Sequence, residues 1–401
     1  MTIGYPVASI LLGALGAGLV AWLAAFLVAR AGFPLPPSRG RIGCLDGLRG
    51  LLALAVLVHH GIVWLQVERL GGAWAPPALN LFNQLGAGAV GLFFMTTGLL
   101  FYPRVRAGVR ACSWPALLTG RFFRIVPLVA VSVGLVTALI AVRTGRGLDA
   151  GYPAAAFRWI SAWDEPPLLG YPDSGRLNAY VLWSLRYEWI FYLLVLPACA
   201  LARDLTRGRL PAWTIPAALL VGALCVGASQ VRTRPMPQIL PLFALGMLTW
   251  EVQARERVAR WLRTPAAAVL AVAALAAGMV AAPSPYGPAL PLFAGFFACV
   301  ACGNTLGGLL RTRAALVLGE CSFGIYLLHG LVLSVLFTDL RGVTAAIPTD
   351  VLPLVLLPAA ALVVALVTPL TYLAVERPAI RLGARLVRRR SAARGPAPAT
   401  A

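Results

Sequence analysis

The chain contains no lysine. All 34 of its basic residues are arginine, set against 14 acids and three histidines. Only 12% of the 401 residues are charged, where soluble domains of this total length carry roughly a quarter. So few charges do not coat two or three soluble domains. The cysteines are few and scattered: seven in all, with Cys299 and Cys302 the one close pair. No second pair stands at metal-ligand spacing, so packing explains them and no metal is expected. There is no G-x-S-x-G nucleophile elbow and no metal-protease signature. A net charge of +20 would suit nucleic acid if the arginines formed a soluble basic face. They lie instead in short loops between apolar runs, which excludes that class.

What fills the chain is hydrophobic sequence, 60% of residues. A bilayer core takes about 20 apolar residues per helix. Runs of that kind fall near 7–29, 50–67, 86–102, 126–142, 180–202, 213–228, 238–251, 266–282, 289–309, 322–338 and 352–374. The sequence therefore predicts an all-α integral membrane protein of about eleven spans. With the N-terminus outside, the cytoplasmic loops and tail hold 25 of the 34 arginines. The outer loops then hold eight arginines against seven acids, and Arg186 falls within a run. That asymmetry predicts N-terminus out and C-terminus in. The first run carries a cleavage-like Ala29-Arg30-Ala31, yet no basic residue precedes it and it is long for a signal peptide. It reads as a retained helix.

Chemistry concentrates in four places. "CLDGLRGLLALAVLVHH" (44–60) opens with Asp46 and Arg49 and ends in His59 and His60. On a helix Arg49 and His60 share a face about 16 Å apart, while His59 turns about 80° away. Arg49 then sits at the cytoplasmic mouth and His60 about 10 Å below the outer surface. A snorkelling arginine with an interfacial histidine gives the bland account; ionisable groups within a span favour function. In the loop after the third run, Arg104, Arg106 and Arg110 are explained by topology. Arg121 and Arg124, one turn apart beside Pro127, suit phosphate. "LNAYVLWSLRYEWIFYLL" carries Arg186 and Glu188 among Trp183, Tyr187, Trp189 and Tyr192. Counted from the outer end, Glu188 is about 12 Å deep, near the level of His60, which is one candidate partner for it. Finally, "GECSFGIYLLHG" sets Ser322, Tyr326 and His329 on one stripe, either as interhelical glue or as part of a site.

In this order the motifs resemble the acyltransferase-3 family of membrane O-acyltransferases. The matching pieces are "LDGLRGLLALAVLVHH", "FFMTTGLLF", "RFFRIVP", "LWSLRYEWIFY", "CSFGIYLLH" and "VERP", spread over residues 41–380. Two departures stand out. Thr97 replaces the usual Ser, and the helix at 7–29 is additional to a ten-helix core. The resemblance implies three parts: residues 1–40 as the added helix and linker, 41–380 as the acyltransferase domain, and 381–401 as a basic, disordered cytoplasmic tail.

It further implies a donor, acyl-CoA, and a hydroxyl acceptor reached from the outer side, with no bound cofactor. The donor is expected to be acetyl-CoA, and the acceptor a sugar hydroxyl on an envelope or exported glycan. A glycosylated metabolite such as a macrolide is the alternative acceptor. In this scheme Arg49, Arg121 and Arg124 hold the nucleotide phosphates at the inner face. His60 takes the acceptor proton, and Glu188 orients its ring or stabilises its charged form. Asp46, Trp183, Ser322, Tyr326 and His329 support them. Relatives often carry a fused extracytoplasmic domain, so a separate extracytoplasmic transferase is an expected partner. A transporter remains the competing class, although no repeat relates the two halves; a non-catalytic scaffold would leave His60 and Glu188 unexplained. The setting is the cell membrane. A reporter fused after Ala401 should read cytoplasm and one before Met1 should read outside; the same side for both would remove a span.

Overall fold

The computed structural model describes residues 6–35, 42–207, 209–229 and 236–393. Among them the architecture is all-helical, relieved by one isolated antiparallel bridge between Leu168 and Tyr171. The long helices α1 (Val7–Arg30), α2 (Gly43–Arg69), α3 (Asn80–Ala107) and α4 (Trp114–Thr144) come first. Two short helices follow, α5 (Tyr152–Ile160) and α6 (Ser174–Leu177), and then α7 (Trp183–Thr206). The second half holds α8 (Thr214–Ser229), α9 (Met236–Gln253), α10 (Glu256–Leu262), α11 (Pro265–Ala281) and α12 (Leu290–Ala301). It closes with α13 (Arg313–Glu320), α14 (Ser322–Asp339) and α15 (Leu352–Arg389).

Seven of these are long and apolar enough to cross a bilayer, and the pair α10–α11, bent by 74°, makes an eighth candidate. The eleven apolar runs do not all reach spanning length. The run at 289–309 is cut after Ala301, because Gly303, Leu306, Gly307 and Gly308 all take positive φ. Its 12 helical residues rise only about 18 Å, short of a bilayer core of about 30 Å. The run at 180–202 likewise starts late, at Trp183, because Ala179 and Tyr180 sit at φ 51° and 52°. Both are left-handed positions that stop a helix.

The centre of the molecule is α2 with α3. Glycines let their neighbours approach to backbone distance. A Cβ on Gly47 would strike the Leu310 carbonyl, one on Gly50 would lie 2.6 Å from the Leu318 Cβ, and one on Gly319 would strike the Asp46 carbonyl. On α3, Gly98 faces the Phe243 carbonyl of α9, and Gly246 faces the Met95 carbonyl in return. The added helix α1 docks on α15 by the same device. It buries Gly13, Ala17, Ala21 and Ala25, a small residue every fourth position, and exposes Leu12, Leu15, Leu19 and Leu23. Small residues at this spacing are how helices associate where lipid supplies no hydrophobic force.

Two segments expected to be plain are built. Residues 143–179 lie between two apolar runs and read as a loop; they hold α5 and α6 and pack against the bundle, where a Cβ on Gly330 would lie 2.5 Å from the Asn178 carbonyl carbon. The tail expected to be disordered from 381 is helical to Ala393. Gly383 is buried there against Phe123 of α4, so the basic residues ride on a packed helix. Residues 394–401 lie outside the described residues.

Gly98→Ala and Gly246→Ala should each cost about 1–3 kcal/mol by overpacking, seen as a lower unfolding midpoint in detergent. Gly134→Ala, which meets open space, should leave the midpoint unchanged or higher. Equal responses would remove the close-approach argument.

Candidate active site

Arginines from four parts of the chain meet at one end of the bundle. Arg49 comes from α2, Arg121 and Arg124 from α4, Arg263 from the α10–α11 bend, and Arg311 from the turn before α13. They line a cavity of about 910 Å³ together with Asp46 and Glu320. Asp46 lies 4.0 Å from Arg49, one helical turn away. Arg121 is held over the rings of Phe101, 5.1 Å away, and Tyr192, 5.8 Å away. Such stacking fixes a guanidinium's plane, and a hydrogen bond to Tyr192 holds it further. Arg49 and Arg124 also face the buried carboxyl of Glu376, from the "VERP" stretch. Five guanidiniums around one cavity suit a multiply charged anion.

The cavity narrows rather than ends. Arg49, Thr96, Leu100, Arg121 and Arg124 also line a second space of about 140 Å³, which holds Glu188 and Tyr326 further in. Helix periodicity explains the lining. Phe93, Thr96, Thr97 and Leu100 follow one face of α3, and Ser184, Glu188 and Tyr192 one face of α7. Glu188 accepts hydrogen bonds from Thr97 Oγ1 and from the Tyr192 hydroxyl, each at 3.3 Å. The Thr97 departure therefore keeps the hydroxyl that the carboxylate uses. Ser322 contributes a buried Oγ without a partner to the same space. The Tyr326 hydroxyl is tied to Ser184 Oγ at 2.9 Å and to the Val181 carbonyl at 3.1 Å. Trp183 lines neither space; it is 37% exposed and packs edge-on against Phe94. Arg186 points away, toward Trp163 and the Ala162 carbonyl in the segment after α5.

His60 and Glu188 do not meet. His60 Nδ1 lies 2.9 Å from His329 Nε2. The ring pair stands at the level of His329 on α14, whereas Glu188 stands near Ser322, seven residues closer to the arginines. That places Glu188 about 10 Å from the level of His60 along the bundle. Sequence counting misses this because α7 begins only at Trp183, after the left-handed turn at Ala179 and Tyr180, so counting from residue 180 starts from the wrong level.

The hydrogen bonds fix which nitrogen does what. His329 Nδ1 lies 3.1 Å from the Ile325 carbonyl, which only accepts, so Nδ1 carries the proton. In the neutral ring His329 Nε2 is then an acceptor, and His60 Nδ1–H donates to it. His60 Nε2 is left as the bare, basic nitrogen. His329 is fully enclosed at 0% exposure, while His60 keeps some accessible surface beside Trp74. His59 is different: its Nδ1–H donates to the Phe82 carbonyl at 2.9 Å, and its ring occupies the space above Gly86. One histidine ties α2 to α3; the other presents a base.

Outside the spans, the segment between α5 and α6 buries the carboxyl of Glu165. Burial pushes it up to about 8, against the lowering effects of the Leu182 N–H and Arg186, so most of it is protonated at neutral pH.

Sequence reasoning missed three contributors: Arg263 and Arg311, which read as topology, and Tyr192 as the second partner of Glu188. Among the described residues no cluster of His, Cys, Asp and Glu is placed to hold a metal. No curated protein and no solved structure matches the chain. A family model described as an acyltransferase domain matches residues 42–374, which include the five cavity arginines, Glu188, His60 and His329; Glu376 lies two residues beyond. The chain therefore belongs to the acyltransferase-3 family of membrane acyltransferases.

Proposed function

We propose that this protein moves an acyl group, acetyl in the first instance, from cytoplasmic acyl-CoA to a sugar hydroxyl of an envelope or exported glycan. One observation carries the reading. Guanidiniums from four chain segments surround a cavity that narrows toward Glu188 and Tyr326, and the His60–His329 pair stands beyond. A nucleotide with several phosphates fits the wide end, and a slender pantetheine arm fits the narrow one. Cytoplasm is then the arginine side and the N-terminus lies outside, as the arginine distribution favours.

The steps follow from the protonation pattern. Arg49, Arg121, Arg124, Arg263 and Arg311 neutralise the phosphates. Glu188, held by Thr97 and Tyr192, accepts an amide N–H of the arm. The acceptor hydroxyl gives its proton to His60 Nε2 as its oxygen bonds to the thioester carbonyl carbon. The tetrahedral intermediate then breaks its carbon–sulfur bond. The imidazolium returns the proton to the departing sulfur, leaving an ester and free CoA. His329 keeps His60 in the productive tautomer throughout and is a positioning residue.

The experiment is transfer itself. Full-length protein in nanodiscs, supplied with radiolabelled acetyl-CoA or longer acyl-CoAs and lipid-linked or secreted glycans, should move label into glycan. No transfer with any donor would defeat the proposal.

Removing one charge-assisted phosphate contact costs roughly 1.5–3 kcal/mol. Arg121→Ala, Arg124→Ala, Arg263→Ala and Arg311→Ala should therefore each weaken acetyl-CoA binding about ten- to a hundredfold, by equilibrium titration. Arg104→Ala, whose guanidinium lies over Phe101 outside the cavity lining, should change it little. A match between Arg104→Ala and Arg124→Ala would dismiss the phosphate assignment.

The histidines separate by assay. His60→Ala should lose about a hundred- to ten-thousandfold in transfer rate and still bind acetyl-CoA. His59→Ala should keep most activity but unfold at lower temperature, because it loses the Phe82 tie. Loss of transfer at His59 with retention at His60 would reverse the roles.

A further inference from the structure

Beyond the donor end, the opposite face of the bundle has a cavity of its own, of about 250 Å³. It is lined by Trp64, Glu68, Arg143, Tyr171, Asp173 and Arg176, among others. Trp64 stands one helical turn from His60 on α2, toward the outer end. Between them lies Trp74, edge-on to Trp64 at 5.3 Å and stacked on His60 at 6.4 Å. The Arg176 guanidinium covers both indoles, 4.9 Å from Trp64 and 5.6 Å from Trp74. The cavity is thus one aromatic layer away from the basic nitrogen.

Two features say what it takes. Trp64 is 98% buried (2% exposed), yet its Nε1–H has no partner; the Arg176 Nε–H is buried and unpartnered as well. Buried donors of this kind are rare unless something accepts from them. The charges, in contrast, are already balanced. Arg176 Nη2 donates to Glu68 Oε1 at 2.7 Å, Arg341 lies 3.6 Å from Glu68, and Arg143 is paired with Asp339 at 2.6 Å. The two lining carboxylates, Glu68 and Asp173, match the two lining guanidiniums. No surplus cation remains for an anion. A ligand that both accepts from N–H groups and donates to carboxylates and carries no net charge is polyhydroxylated, as a saccharide ring is. The volume is below the roughly 300 Å³ of a drug-sized site, which suits one ring.

We propose that this outer cavity seats a neutral saccharide ring of the acceptor, with Trp64 and Arg176 donating to its oxygens and Glu68 and Asp173 accepting from its hydroxyls. This rests on the acyl-transfer reading for its purpose, but not for its test. A hydroxyl projecting past Trp74 from this seat faces His60, so the ring held here sets which hydroxyl is acylated.

The test is equilibrium binding to full-length protein in nanodiscs, with no donor present. The probes are p-nitrophenyl glucoside, galactoside, mannoside and N-acetylglucosaminide, with the glucuronide as the anionic arm. At least one neutral glycoside should bind, more tightly than the glucuronide. Trp64→Phe keeps the ring and removes the donor; Asp173→Asn keeps the shape at φ 55°, which Asn tolerates. Each should weaken that binding about tenfold, with acetyl-CoA affinity, measured separately, unchanged. Should Trp64→Phe fail to fold, Asp173→Asn alone decides. Absence of binding by every glycoside, preference for the glucuronide, or indifference to both variants overturns the site. Failure of acetyl-CoA to bind or turn over would instead strike the acyl-transfer proposal and leave these arms readable.

Discussion

Contact between helix backbones at glycine is the constraint on which the rest depends. Gly47 and Gly50 on α2 and Gly319 at the end of α13 hold these helices at a separation no side chain would allow. From that contact the register of α14 against α2 follows: Ser322 shares a cavity lining with Arg49, and His329, two turns further along α14, meets His60. In lipid a polar group without a partner is expensive, and long side chains between the helices would have left the two imidazoles apart. Closeness at one end of the crossing makes the hydrogen bond at the other end possible.

The fold and site were legible where local pattern decides. Apolar runs gave the long helices, because a bilayer demands length and composition at once. Arg121 and Arg124 line one cavity as their one-turn spacing implied, Arg49 joins them as the resemblance implied, and the inequality of His59 and His60 follows from a rotation of 100° per residue. Legibility ended where the chain leaves regular geometry. Ala179 and Tyr180 at positive φ delay α7, so the level of Glu188 was misjudged, and Thr97 and Tyr192 rather than the candidate His60 are its partners. Positive φ from Gly303 to Gly308 shortens α12. Arg263 and Arg311 are far apart in sequence and far from every motif, so no spacing signals that they share a cavity. The helical tail was hidden because arginine content reads as solvation, while the burial of Gly383 on Phe123 is a tertiary fact.

The histidine pair divides one task between an enclosed ring and an accessible one. His329 has no surface and settles a tautomer; His60 has surface and uses it. The bond between them is also the meeting point of two differently built ends. One end gathers five guanidiniums around a cavity with Asp46 and Glu320; the other sets Arg143 and Arg176 against Asp339 and Glu68 and adds indole. Charge is thus apportioned by face, which the net value of +20 conceals.

The exclusive use of arginine at the wide cavity has a kinetic consequence. A guanidinium keeps its proton at any pH a cell meets, whereas a lysine amine in such surroundings loses it readily. The cationic half of the grip on a nucleotide is therefore constant across the physiological range. Whatever acidity dependence turnover shows then arises elsewhere: in the acids that share the wide cavity, in the ligand's own phosphates, or at the imidazoles.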